Sequence, residues 1–177
     1  MKTELLTTPA SKKYPQTGIV MTIHAPIKAA FDYIPPIYLP RIFPGTPSIP
    51  GIVDTSIKEG WNRAGLSRTV YFRDGTTSQE TLLTYNAPIS FSYKNEQFTS
   101  KMLGALMTRL EGEWKFTELS NNTTKVEWIY RTIPRGFFSR IFIKYILINA
   151  IKDMLVKALT IAKQDLETGN LAGSNFK

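Results

Sequence analysis

The chain has 177 residues, 42% of them hydrophobic, which suffices for one domain with a single substantial core and is short for two. It has no cysteine, which excludes disulfides and thiolate metal sites, and its formal net charge of +8 favours polyanions without specifying a fold. No apolar run approaches the roughly 20 residues of a membrane span, because the longest, Tyr145 to Ile151, is broken by Asn149 and follows Lys144.

The N-terminus contains only the pair Leu5-Leu6 in place of a signal-peptide core, so no secretion signal is read and a cytoplasmic location is expected. Residues 1–16 are polar and are expected to form a mobile arm, 17–168 the folded domain, and 169–177 a disordered tail. Gly18 to Ile23 is rich in β-branched residues and predicts a first strand. Pro26 then opens a helix with Ile27, Ala30, Phe31 and Ile34 along one face, and Pro35-Pro36 ends it. Six of the eleven prolines fall between Pro35 and Pro50, interleaved with Ile37, Tyr38, Leu39, Ile42 and Phe43. That composition fits a short second helix or an irregular apolar lid and argues against a strand.

Short strands are predicted next over Ile52 to Lys58, Ser67 to Arg73, Ser78 to Tyr85 and Ile89 to Asn95, with turn residues between them. A three-residue loop at Asp74 to Thr76 would set Val70 opposite Glu80 and Arg68 opposite Leu82, leaving Arg68 and Glu80 diagonal neighbours on one face. Segment 96–107, with Gly104 and two methionines, carries no clear pattern and is read as a lead into the next strand. Leu110 to Phe116 and Lys125 to Tyr130 place glycine or large apolar side chains on even positions and mostly charge on odd ones, around the turn residues Ser120 to Thr123. They read as an antiparallel hairpin whose inner face carries Trp114, Trp128 and Tyr130.

An apolar helical pattern follows from about Phe138 to Leu166. Its outer stripe comprises Asn149, Lys152, Asp153, Lys157, Thr160, Lys163 and Gln164, whereas Arg140 and Lys144 fall on the opposite side, so the phase breaks near Tyr145. Either the helix kinks there, or Phe137 to Phe142 form a separate segment whose apolar residues face solvent, a membrane or another subunit. Together the elements predict an α+β fold: a curved antiparallel sheet of six or seven strands gripping a long C-terminal helix, with two short helices after the first strand.

The run Ala25-Pro-Ile-Lys-Ala-Ala-Phe-Asp-Tyr-Ile34, followed by Leu39-Pro-Arg-Ile-Phe43, Gly60-Trp61, Gly65-Leu-Ser-Arg68, Asp74-Gly75, Glu80, Gly112-Glu-Trp-Lys-Phe116 and Thr124-Lys-Val-Glu-Trp128-Ile-Tyr130, resembles the START-like superfamily of polyketide cyclases and lipid-transfer proteins, also labelled SRPBCC. The resemblance spans roughly 19–167 and implies the helix-grip fold that this superfamily shares with plant pollen allergens. It specifies the fold more than any activity, since the superfamily holds carriers, receptors, cyclases and oxygenase domains alike. The proline-rich 44–50 stretch departs from the pattern at the expected pocket mouth.

The candidate ligand-binding residues are the inward set Val70, Phe91, Tyr93, Trp114, Trp128 and Tyr130, with Arg68 and Glu80 as polar groups that orient a hydrophobic small molecule such as a lipid, fatty acid, polyketide or aromatic compound. The bland reading is a filled core with a self-closed ion pair. A cyclase or dehydratase would use Glu80 or Tyr93 to move protons and Arg68 to stabilise an enolate; these two are the catalytic candidates, and whether the chain is an enzyme stays open. A third reading is an interaction domain with a filled core.

His24, the only histidine, is most simply a turn residue facing solvent. Gly60 to Gly65 has the glycine spacing of a phosphate loop, but Leu66-Ser67 stands where Lys-Ser is required. Glu111 and Glu113 share the outward strand face and are read as solvated. No metal and no cofactor are expected. Phe137, Phe138, Arg140 and Lys144 are the candidates for peripheral contact with an anionic membrane surface; the competing expectation is a kink that covers the apolar residues. Nucleic acid is not an expected partner, and oligomerisation is left open.

Overall fold

The computed structural model describes residues 14–46 and 49–171. Seven strands form one antiparallel sheet: β1 (Gln16–Ile23), β2 (Ile52–Thr55), β3 (Ser67–Phe72), β4 (Thr77–Asn86), β5 (Ser90–Glu96), β6 (Met107–Ser120) and β7 (Thr123–Pro134). Their order is β1-β7-β6-β5-β4-β3-β2, so every neighbour in sequence from β2 to β7 is a neighbour in space, and only β1 crosses to pair with β7. This is the expected α+β helix-grip architecture. Register irregularities in β4 between Leu82 and Thr84, and in β6 between Met107 and Arg109 and between Glu118 and Ser120, interrupt the ladders where bulges bend strands.

Alternation decides which face is buried. In β7 every second residue from Thr124 to Thr132 is buried, so Val126, Trp128 and Tyr130 all point inward while Lys125, Glu127, Ile129 and Arg131 do not. The short helices α1 (Ile27–Tyr33) and α2 (Leu39–Ile42) close one end of this face. Pro26 is the residue capping α1, one position earlier than expected, and Phe31 lies edge-on to Phe116 at 5.2 Å and to Phe91 at 6.1 Å between ring centroids. Such pairs add to the area-driven stabilisation of the core.

The C-terminal helix runs as α4 (Phe137–Phe142), one π-helical turn over Ile143–Leu147, and α5 (Ile148–Thr168). The break of phase expected near Tyr145 is this π turn. A π turn accommodates one residue more than an α turn, which lets Ile143, Leu147, Ile151 and Leu155 stay on the buried side at four-residue intervals. The same spacing leaves Phe137, Phe138, Ile141, Phe142, Tyr145 and Ile146 exposed. Neither expectation holds as stated: the helix continues through the π turn without a break, and the apolar residues that a kink would have covered stay exposed. Gly169 ends α5 in the left-handed region at φ +70°, a conformation glycine adopts without Cβ penalty.

Two sequence expectations are corrected. The β3–β4 loop is Arg73 to Gly75, one residue earlier than expected, and Arg68 lies directly opposite Glu80 rather than diagonal to it. The reason is Gly75, whose φ of +80° marks it as the left-handed last residue of a three-residue hairpin loop, while the Asp74 carboxylate accepts from the Thr76 N–H at 3.0 Å. Segment 96–107 is not a plain lead-in: Lys101–Leu106 form α3, with the Ser100 hydroxyl accepting from the Leu103 N–H at 3.4 Å as its cap. At the N-terminus the Pro15 carbonyl accepts from the Thr132 N–H at 2.9 Å and from its hydroxyl at 3.0 Å. The remainder of the expected arm, 1–13, and residues 172–177 of the expected tail lie outside the described residues.

Candidate ligand-binding site

Two adjoining voids lie between the sheet, the lid after α1 and the C-terminal helix. The inner one, about 50 Å³, is bordered by Trp61, Arg68, Glu80, Tyr93, Trp114 and Trp128. The outer one, about 100 Å³, is bordered by Phe43, Phe98, Leu103, Met107, Leu147 and Met154. Phe43, Ile52, Asn95 and Tyr130 border both. The space is therefore graded: closely bordered by large rings at the inner end, and lined mainly by apolar side chains toward α3.

At the inner end the Arg68 Nε donates to Glu80 Oε2 at 2.5 Å, with both residues at most 5% exposed. The guanidinium carbon stands 4.2 Å from the centroid of the Trp61 ring, a cation–π contact supplied by the loop after β2. Sequence reasoning missed Trp61 because nothing in the local pattern of Gly60 to Gly65 says which strand that loop folds over. A closed pair of this kind satisfies its own charges, and its net stabilisation over an apolar pair is small.

Above the pair the aromatic side chains pack in layers. Trp114 and Trp128, directly paired across β6 and β7, stack at 4.0 Å between centroids, and Phe91 stacks on Trp114 at 5.4 Å. Burial pushes the Tyr93 hydroxyl well above its ordinary pKa, with the nearby Tyr130 and Glu80 adding to the effect, and burial raises Tyr130 likewise. The Asn95 Oδ1 and Trp114 Nε1 are buried without a hydrogen-bond partner. Asn95 borders both voids.

Of the residues selected from sequence, Arg68, Glu80, Phe91, Tyr93, Trp114 and Trp128 border the inner void and Tyr130 borders both; Val70, fully buried, borders neither. The outer walls come from residues the sequence did not single out. Phe98 and Leu103 belong to the segment without a clear pattern, and Leu147, Ile151 and Met154 read in sequence simply as the apolar side of a helix.

A second charge cluster, with Asp165 buried and Arg41 reaching it from the surface, fixes the lid. Arg41 of α2 donates through Nε to Asp165 Oδ2 at 2.8 Å and through its second nitrogen to Oδ1, and the Tyr33 hydroxyl donates to Oδ2 at 2.7 Å. Burial alone would raise the Asp165 pKa; the hydrogen bonds from Arg41 and Tyr33 and the Arg41 charge outweigh it and hold the carboxyl below its ordinary value. Because Phe43 follows α2 directly, this clamp sets where that ring enters the outer void.

The remaining candidates fall away from the cavity. His24 is exposed, and its backbone N–H donates to Glu167 Oε1 at 2.8 Å. Glu111 and Glu113 sit on the outer sheet face, where Arg131 reaches them at 3.3 and 3.8 Å. Among the described residues no group of three or more His, Cys, Asp or Glu side chains could hold a metal ion, and no helix is long and apolar enough to cross a membrane.

No protein-family model and no curated protein matches the chain. Solved structures do match in shape. A START superfamily protein from Mycobacterium smegmatis superposes with a TM-score of 0.62 at 12% identity, covering 86% of this chain and 97% of that one. Ara h 8.0201 superposes at 0.61 with 12% identity over 89% and 97%. The di-domain ARO/CYC StfQ from the steffimycin biosynthetic pathway superposes at 0.60 with 16% identity, over 87% of this chain and 45% of that one. At these identities the likeness is one of fold.

Proposed function

We propose that the protein binds a hydrophobic small molecule reversibly in the outer void, with its polar end toward Asn95 and Tyr130. The observation that carries this reading is an apolar space of about 100 Å³ bordered by Asn95, whose buried Oδ1 has no hydrogen-bond partner. An unpaired buried acceptor costs free energy that a donor group on a guest would recover. Shared fold with a START superfamily protein and an ARO/CYC protein supports the same class of function. An apolar cavity of about 150 Å³ accommodates benzene, so a lipid or polyketide larger than one ring requires α3 or the lid to move outward. The Arg68 guanidinium is already engaged by Glu80 and Trp61, which is why the polar end is assigned elsewhere.

A proton-transfer enzyme in the same place is the less supported reading. Glu80 is committed to Arg68. A cytoplasmic setting completes the proposal and agrees with the absence of cysteine.

Native mass spectrometry of the protein purified from its host tests the proposal, the expected result being a retained apolar guest. In parallel, Met154→Trp should fill the outer void and weaken binding of the fluorescent probe anilinonaphthalene sulfonate severalfold while cooperative unfolding is retained. Unchanged probe binding in that folded variant would place any bound apolar molecule elsewhere.

A further inference from the structure

We infer that the face formed by α4 and the π turn docks on an anionic lipid bilayer. Six large apolar side chains, Phe137, Phe138, Ile141, Phe142, Tyr145 and Ile146, recur in adjacent pairs every four residues and are all exposed, with Phe138 at 84% and Phe137 at 70%. Contiguous apolar surface of this kind marks a contact site rather than ordinary surface scatter. α3 packs beside α4, where the Ser139 hydroxyl donates to the Ala105 carbonyl at 3.5 Å, and it adds exposed Met102 and Lys101.

Charge selects the occupant. Between Glu127 and Asp153 the chain has no acidic residue and carries Arg131, Arg135, Arg140, Lys144 and Lys152; between Glu96 and Glu111 it again has none and carries Lys101 and Arg109. Arg131 and Arg109 are committed to Glu111, whereas Lys101, Arg135, Arg140 and Lys144 form no ion pair among the described residues and are exposed. Lys144 stands 5.0 Å from the Tyr145 ring centroid, at the border between the charged and the apolar surface. A helical face with exposed phenylalanines and a rim of uncompensated cations matches an acyl–headgroup boundary bearing anionic lipid. A second copy of the same face would bring like charges together. Residues 1–13 carry Lys2, Lys12 and Lys13 against Glu4 alone, so they too lack the complementary charge. The assignment does not depend on what occupies the cavity.

The test uses the full chain and extruded phosphatidylcholine vesicles with and without phosphatidylglycerol, read by co-sedimentation. Binding is expected only with phosphatidylglycerol and should be released by salt. Each cation near such a surface is worth about fivefold in partitioning, so Arg140→Glu with Lys144→Glu should weaken binding at least about 30-fold. Phe137→Ser with Phe138→Ser should abolish it with unchanged thermal unfolding. Equal binding to both vesicle types, or binding to neither, overturns the proposal. So does a concentration-dependent dimer in analytical ultracentrifugation that the phenylalanine variant dissolves, since the face is then covered by a second copy.

Discussion

The Tyr93 ring lies flat across Gly112, its partner on the neighbouring strand, so closely that a Cβ at that glycine would stand 2.3 Å from the ring's Cζ. Only a residue without a side chain lets the phenol lie down on the sheet instead of standing up into the inner void. Glycine in a strand ordinarily weakens it, and here the aromatic cover compensates.

Gly112→Ala should therefore destabilise the fold by about 1–3 kcal/mol, the usual range for overpacking a closed core. Urea denaturation measures this. Adding Tyr93→Leu should recover part of the loss, because the clash is with the ring. Strictly additive losses in the two variants would show that ring and glycine are not coupled.

Arg68→Met should cost about 3–5 kcal/mol, since it strands the Glu80 carboxylate in a dry site. Replacing both residues, Arg68→Met with Glu80→Leu, should restore most of that stability, as an apolar pair needs no partner. A single variant that costs less than about 1 kcal/mol would mean that water reaches the pair.

Asp165 makes stability depend on acid. Its folded pKa is depressed, so its contribution is complete above the unfolded carboxylate value of about 3.9 and is lost as pH falls through the lower folded value. Asp165→Asn should cost about 1.5–3 kcal/mol at neutral pH, the range for hydrogen bonds to a charged group. The gap between native and variant urea midpoints should narrow below about pH 4. A gap that does not change with pH would deny the carboxylate its role in clamping the lid.

Phe116 and Phe138 are the same residue type in opposite environments, 2% and 84% exposed. Phe116→Ala should cost about 3–5 kcal/mol. Phe138→Ser should change stability by no more than about 0.5 kcal/mol. A large thermal shift for the second would show that it packs against the fold instead of facing outward.

Much of the fold was legible because burial on one face imposes a period on the chain. Trp114 and Trp128, alternating with charge, announced their hairpin, and the break of phase at Tyr145 marked the place of the π turn without specifying its form. The β3–β4 register was nearly legible: the left-handed requirement for Gly75 fixes the loop at Arg73 to Gly75 once that glycine is assigned its last position. α3 was hidden because its six residues are too few to display helical periodicity, and only Ser100 signals its start.

The amino-acid order by itself determined the order of elements apart from α3, and the buried face of the strands from β3 to β7, since each depends on residues close together along the chain. Tertiary structure alone decided that Trp61 caps Arg68, that Arg41 and Tyr33 meet Asp165 from more than a hundred residues away, and that α3 walls the outer void. Those meetings depend on how distant segments approach in three dimensions, and a pattern read over neighbouring residues holds no information about that distance.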